Sequence, residues 1–126
     1  MTRKEIEAWA AAYIVAQLDS NLLKGDHPLW WAVERFMPGP STRAPAEDCW
    51  AAILEVLSRN PPEQVIAVLA AGPLEDLIDD HGPEFIERIE TESRRNASFR
   101  KLLGGVWKSS TPDVWARVQK AQGELW

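Results

Sequence analysis

The chain has few of the residues on which many enzymes and secreted proteins depend. It contains one cysteine, Cys49, which excludes an intrachain disulfide, and two histidines, His27 and His81, which leave few places for an imidazole base. The longest apolar run, residues 8–16, has nine residues. A membrane-spanning helix needs ~20. We therefore expect a cytoplasmic protein that does not enter a membrane.

Motifs of known reaction chemistry are also missing. The sequence has no Gly-x-Ser-x-Gly elbow, no phosphate-cradling glycine loop and no dinucleotide fingerprint. Cys49 lies beside Trp50 on an apolar-rich segment, where a cysteine is typically buried and unreactive. The sequence predicts a protein that is not an enzyme, with no catalytic residues, no bound metal and no cofactor.

Helical periodicity and helix start signals are abundant. Thr2 and Glu5 form a capping box, and no segment alternates at period two for long enough to predict a strand. The clearest apolar face repeats at i, i+3, i+4 and i+7 and comprises Trp50, Ile53, Leu54 and Leu57. We predict an all-α fold: a single domain over residues 1–126, built as an irregular bundle of about seven or eight short helices. Stacked helical hairpins remain open as the alternative arrangement.

Proline and glycine predict where the helices end. Residues 37–45 contain three prolines and one glycine, which predicts the one long loop. Gly72-Pro73 and Gly82-Pro83 stand ten residues apart. Because glycine suits the position after a helix and proline suits the first turn, each pair predicts that one helix ends and another begins.

Charge is unevenly distributed along the chain. The net charge is −5, but residues 60–92 carry nine acids and one base, whereas residues 93–126 carry seven bases and two acids. An acidic surface can dock a basic partner. We predict an acidic partner-binding face formed by Glu75, Asp76, Asp79, Asp80, Glu84 and Glu87. Mutual neutralisation of the two segments is the alternative.

The bases after this segment allow two interpretations. Arg94, Arg95, Arg100 and Lys101 form a compact cluster, which is a feature of nucleic-acid binding. The same residues also fit the C-terminal end of a helix, with Arg94 paired to Glu90 four residues earlier. Because the isoelectric point is about 5.0, we do not expect direct nucleic-acid binding.

A metal-dependent hydrolase is a third, weaker hypothesis. His81 and the nearby carboxylates, among them Asp80 and Glu84, offer nitrogen and oxygen ligands in a short stretch. Acids and a histidine close to helix ends also satisfy helix dipoles and unpaired amides without any metal.

Seven tryptophans are many for a chain of 126 residues. Trp50, Trp107 and Trp115 lie on apolar stripes and are predicted to be core residues. Trp30 and Trp31 point in different directions on a helix, so we predict that they contribute an aromatic contact to a partner. Trp126 is predicted to pack back on the protein or to belong to an interface.

One part of the chain resembles a family of small bacterial proteins of unknown function. The pattern consists of LAAGPLEDL at residues 69–77, HG at 81–82, FIERI at 85–89, FR at 99–100 and LLGGVW at 102–107. The similarity covers residues 47–121. It implies a helical domain of bacterial or phage origin and brings no catalytic residues with it.

These observations lead to one main functional hypothesis. The chain is predicted to be a small acidic binding module that blocks or modulates a protein with a basic surface, such as a nucleic-acid-binding groove. An immunity protein against a toxin and a phage inhibitor of a bacterial defence complex both fit that description. The alternative is a homo-oligomeric helical scaffold, with a homodimer as its simplest form.

Overall fold

The computed structural model describes residues 1–39 and 43–123, and within them it is all-α with no β-strand. Residues 40–42 of the predicted proline-rich loop, and Trp126, lie outside the described residues. The helices are α1 (Arg3–Leu18), α2 (Trp30–Glu34), α3 (Ala46–Ser58), α4 (Glu63–Leu69), a π-helical turn (Ala70–Leu74), α5 (Glu75–Arg95), α6 (Ala97–Leu103) and α7 (Pro112–Ala121).

The first Gly-Pro pair does not divide two helices, which corrects the prediction. The π-helical turn contains Pro73 and joins α4 to α5 without a break, so the described residues form six continuous helices rather than seven or eight. A glycine ends a helix by adopting a positive φ. Among the described residues only Gly25 does so, at 136°, whereas the wider π-helical turn accommodates the missing N–H of Pro73.

The second pair, Gly82-Pro83, follows a kink at which two helical segments of α5 meet. His81 leaves helical geometry, with φ −134° and ψ 21°, inside the 21 residues of α5. Pro83 has no N–H to donate to the carbonyl of Asp79, which is the bond a continuous helix requires at this point. The predicted interruption is therefore a kink.

The capping box predicted at the start of α1 is confirmed. Thr2 and Glu5 form the capping box, since each side chain accepts a backbone N–H from the other residue. Asn96 Oδ1 accepts the N–H of Phe99 at 3.1 Å, and Thr111 Oγ1 accepts that of Val114 at 3.3 Å. These caps fix where α1, α6 and α7 begin.

The described structure divides into two compact units, Met1–Ile66 and Ala67–Trp126, which we call the N-terminal and C-terminal units. The single-domain organisation stays a prediction. In the N-terminal unit α1 packs on α2 and α3. The Trp9 indole N–H donates to the carbonyl of Ala32 at 2.8 Å. The centroids of the Trp9 and Phe36 rings are 4.4 Å apart.

The C-terminal unit is organised around α5, which packs against α6, α7 and the π-helical turn. The apolar face of α5 is buried and comprises Leu77, Ile78, Phe85, Ile86 and Ile89. Gly82 is buried on the same helix, close to Ser110 and Val114 at the start of α7. Four acids of α5 are exposed, Asp79, Asp80, Glu84 and Glu87, whereas Glu92 is buried.

Replacement of Gly82 by alanine should destabilise the protein. An added Cβ would lie 2.5 Å from Ser110 Oγ and 2.9 Å from Val114 Cγ1, distances that require the neighbours to move. We expect a loss of about 1–3 kcal/mol in the free energy of unfolding, measured by urea denaturation.

Gly72→Ala is the matched control, because Gly72 also precedes a proline but has nothing within 4 Å of its added Cβ. Its effect should stay within about 1 kcal/mol of zero. Equal destabilisation by both substitutions would show that the close approach at Gly82 has no energetic effect.

Candidate partner-binding surface

The predicted acidic residues all lie on α5, and most are open to solvent. Glu75 and Asp76 in the first turn are half-buried, whereas the other members are exposed: Asp79, Asp80, Glu84 and Glu87. We call these six residues the acidic face. Glu75, Asp76, Asp79 and Asp80 precede the kink at His81 and the other two follow it, so carboxylates from both segments of α5 are presented to solvent.

Two of these carboxylates also hold a neighbouring loop in place. Glu75 Oε1 accepts the backbone N–H of Trp107 at 2.9 Å, and Asp79 Oδ1 accepts that of Ser110 at 3.1 Å. Ser110 adopts a positive φ of 65°, a strained conformation for a residue with a side chain. The loop between α6 and α7 is thus fixed along the first two turns of α5.

Trp107 is the main surprise of this loop. Its side chain is 77% exposed, which corrects the prediction that it belongs to the core. The apolar stripe of α6 includes Leu102 and Leu103, but the helix ends at Leu103, so a stripe extended to residue 107 has no physical basis. The Gly104-Gly105 pair in the sequence was the signal that the helical period stops there.

A recess of about 360 Å³ adjoins Trp107. It is lined by residues 104–108 together with Trp115, Gln119 and Gln122 of the final helical segment. Trp115 itself is buried, as predicted. The indole of Trp107 therefore stands at the edge of a shallow cavity and beside the start of the acidic face.

The predicted aromatic pair lies in the N-terminal unit. Trp30 is half-buried, and Trp31 is 36% exposed with the guanidinium carbon of Arg35 4.6 Å from its ring centroid. Both rings are partly accessible, but a cation already covers one face of Trp31.

His81 does not form a metal site with other side chains among the described residues. His81 Nδ1 lies 3.1 Å from Glu84 Oε1, which forms a local pair within α5. Across residues 1–39 and 43–123, no three His, Cys, Asp or Glu side chains are placed to hold a metal ion.

His27 forms a well-defined pair that the sequence did not reveal. Its Nε2 lies 2.8 Å from Asp19 Oδ2, and its Nδ1 accepts the N–H of Leu29 at 3.0 Å. With Nδ1 as the acceptor, the proton of the neutral ring is on Nε2. This hydrogen bond from His27 holds the pKa of Asp19 below its ordinary value. Both ring nitrogens are used to close the segment between α1 and α2.

Cys49 is buried, as predicted, with 2% of its surface exposed. Its thiol lies 3.5 Å from the carbonyl oxygen of Ala44. Burial raises the pKa of Cys49 to about 11, so the thiol is protonated at neutral pH.

Two arginines of the basic cluster predicted from sequence, Arg94 and Arg95, bond to different residues of α5. Arg95 Nη2 binds Glu92 at 2.7 Å, while Arg94 donates to Thr91 Oγ1 at 3.4 Å. Glu90 binds Arg117 of α7 through both carboxylate oxygens, with a distance of 3.0 Å from Arg117 Nε to Oε2. Glu90 therefore bonds directly to α7, while the charge of Arg94, its predicted partner, also helps to lower the pKa of Glu90.

Comparison with models of known protein families matches residues 19–125 to a family of unknown function, DUF6869. The chain belongs to that family. The match includes the 47–121 segment and extends beyond it in both directions, to residues 19 and 125. Neither the curated proteins nor the solved structures contain a match to this chain. Within the described ranges, no helix combines the length and hydropathy required to cross a membrane.

Glu90→Gln should make stability less sensitive to acid. The bonds from Arg117 hold the pKa of Glu90 below its ordinary value. A carboxylate with a lowered folded-state pKa adds stability above its unfolded pKa of about 4.3, and this is lost as the pH falls through the folded pKa. We expect a loss below about 1 kcal/mol at neutral pH, because surface pairs contribute little. The decline of the free energy of unfolding in acid should also be shallower than in the wild type.

Urea denaturation over a pH series measures both effects. Glu87→Gln, which removes the same charge one turn earlier on α5, is the control and should keep the steeper decline. An unchanged acid dependence in Glu90→Gln would mean that the pair with Arg117 does not contribute.

Proposed function

We propose that this protein is a non-catalytic binding module whose acidic face docks a basic surface on another protein. The observation that supports this most directly is the exposure of Asp79, Asp80, Glu84 and Glu87 on one helix. An exposed cluster of carboxylates attracts a cationic protein surface. Their placement on a helix rather than a flexible tail reduces the entropy lost on binding.

Trp107 supplies the second element of the proposed interface. Tryptophan is enriched among residues that contribute most to binding, and those residues cluster with a surrounding polar rim. An indole that is 77% exposed keeps apolar area available for such a contact. The backbone bond to Glu75 places this indole at one end of the acidic face.

The most reactive side chain types are engaged elsewhere, which supports a role without covalent chemistry. The Cys49 thiol is buried and protonated, and both nitrogens of His27 are used in hydrogen bonds of the 19–29 segment. His81 is paired with Glu84 on the acidic face itself. The exposed groups are suited to recognition by charge and by aromatic contact.

The partner that fits this surface is a protein with a basic groove, such as one that binds nucleic acid. A carboxylate row can occupy such a groove in place of phosphates and block it. In biological terms we propose an inhibitor, either an immunity protein against a toxin or a phage protein directed against a bacterial defence complex.

Neutralising the outer part of the acidic face should weaken binding and reduce its dependence on salt. The variant Asp80→Asn, Glu84→Gln, Glu87→Gln leaves Glu75 and Asp79 to hold the loop. We expect its pull-down from the native host to recover much less of the partner at low salt, and to change little as salt is added.

The control variant removes three acids from the N-terminal unit: Glu7→Gln, Asp26→Asn and Glu34→Gln. It changes the net charge by the same amount and should retain the partner. If both triple variants recovered the same protein with the same salt dependence, a general charge effect would replace the acidic face as the explanation.

Trp107→Ala should weaken partner binding by at least about tenfold without loss of stability, since the indole is a predicted hot spot that contributes little to the core. Titration calorimetry with the captured partner measures the affinity, and far-UV circular dichroism measures the fold. Trp31→Ala is the comparison, because it tests the aromatic contact predicted from sequence. Wild-type affinity in Trp107→Ala would exclude this indole from the interface.

Self-association is the second candidate function, and the same exposed indole favours it. A second copy of the chain could bury Trp107 as readily as a different protein. Sedimentation at two concentrations separates the candidates: a monomer at both supports the binding module, and a dimer that Trp107→Ala dissociates supports self-association.

A further inference from the structure

A basic recess of about 390 Å³ lies in the C-terminal unit, where the ends of α5 and α7 meet α6. Four cationic side chains and one carboxylate line it: Arg94, Arg100, Arg117, Lys120 and Glu90. The sequence analysis grouped Arg94 and Arg100 with Arg95 and Lys101, which do not line the recess. It did not predict that Arg117 and Lys120 of α7 would line the same recess. We propose that this recess binds a small molecule bearing phosphoryl groups.

The first argument is the shortage of internal counter-charge. Glu90 is bonded through both oxygens to Arg117, and the charges of Arg94 and Lys120 also help to lower its pKa. The described lining therefore has one carboxylate for four cationic side chains, which leaves an excess of positive charge around the recess. Helix dipoles favour each base singly at the end of its own helix. They do not compensate the repulsion of several cations around one recess, whereas a multivalent anion does.

The second argument is that the frame around the recess is fixed. The Ser93 hydroxyl donates to the carbonyl of Ala121 at 2.7 Å, and the Gln122 amide donates to that of Leu103 at 3.0 Å. The N–H of Gly123 approaches the carbonyl of Arg100 at 3.4 Å. These bonds tie the end of α7 to both α5 and α6, so cations from three helices stay near one another without a ligand.

The third argument concerns the chemistry of the cations. Arginine presents a planar fork of N–H groups that binds two oxygens of a phosphate at once, and three of the four bases are arginines. The volume lies at the lower end of small-molecule sites, which suits a phosphate or diphosphate group. An open recess also leaves room for the rest of a nucleotide outside it.

Titration calorimetry of the full chain with inorganic pyrophosphate at low ionic strength tests the proposal. We expect saturable binding that the Arg94→Gln, Arg100→Gln double variant weakens by more than about tenfold, since charged hydrogen bonds are lost. Lys4→Gln with Lys24→Gln removes the same charge from the N-terminal unit and should bind as the wild type does. Circular dichroism checks that each variant is folded.

The Glu90→Gln substitution should change the affinity for pyrophosphate in the opposite direction from the arginine substitutions. It releases Arg117 and removes the one carboxylate, so pyrophosphate should bind more tightly than to the wild type. Inorganic phosphate and ADP identify the source of the phosphoryl group, and binding of either with the same dependence on Arg94 and Arg100 supports the site. No binding of pyrophosphate, equal binding by the double variant, or binding of a single-stranded oligonucleotide alone would overturn it.

Discussion

The backbone hydrogen bonds from Trp107 and Ser110 to the carboxylates of Glu75 and Asp79 are the interactions on which the candidate surface depends. They use charge that α5 carries in its first two turns to order a loop that has no regular structure of its own. A carboxylate that accepts a backbone N–H forms a stronger bond than a neutral acceptor. Glu75 and Asp79 are therefore part of the fold and also part of the proposed interface. Counting their charges does not distinguish these two roles.

The charges along α5 are separated by sign. Glu75 and Asp76 directly follow the π-helical turn, whereas the last turn contains Arg94 and Arg95, where the C-terminal end of the helix dipole favours positive charge. The C-terminal unit consequently has an anionic region at one end of this helix and a cationic recess at the other. Among the described residues of α5, Glu90 is the one acid that lines the cationic recess, where it bonds to Arg117 of α7.

Local signals in the sequence predicted the local structure well. The capping box at Thr2 is present, because it needs only side chains and amides three residues apart. The first Gly-Pro pair failed as a helix boundary, whereas the second pair follows a real break in helical geometry at His81. The effect of such a pair depends on whether packing favours a break, a π-helical turn or a kink. Burial of Gly82 against the start of α7 is a tertiary constraint that residues 82 and 83 do not encode.

The candidate sites show the same division. The acidic face could be predicted, because its members are close in sequence and share one helix. Trp107, the Asp19–His27 pair and the basic recess could not, because each depends on loop geometry or on residues brought together from different helices. Arg100 and Lys120, for example, are twenty residues apart, and only the fixed end of α7 makes them neighbours around one cavity.

The buried, protonated thiol of Cys49 has a practical consequence for spectroscopy. Thiol-directed dyes and spin labels react with thiolates that solvent can reach, and the native chain offers none at neutral pH. A single cysteine introduced at an exposed position would carry the label alone, with no need to remove the native residue from the core. Distances and mobilities on either unit thus become measurable in otherwise unaltered protein.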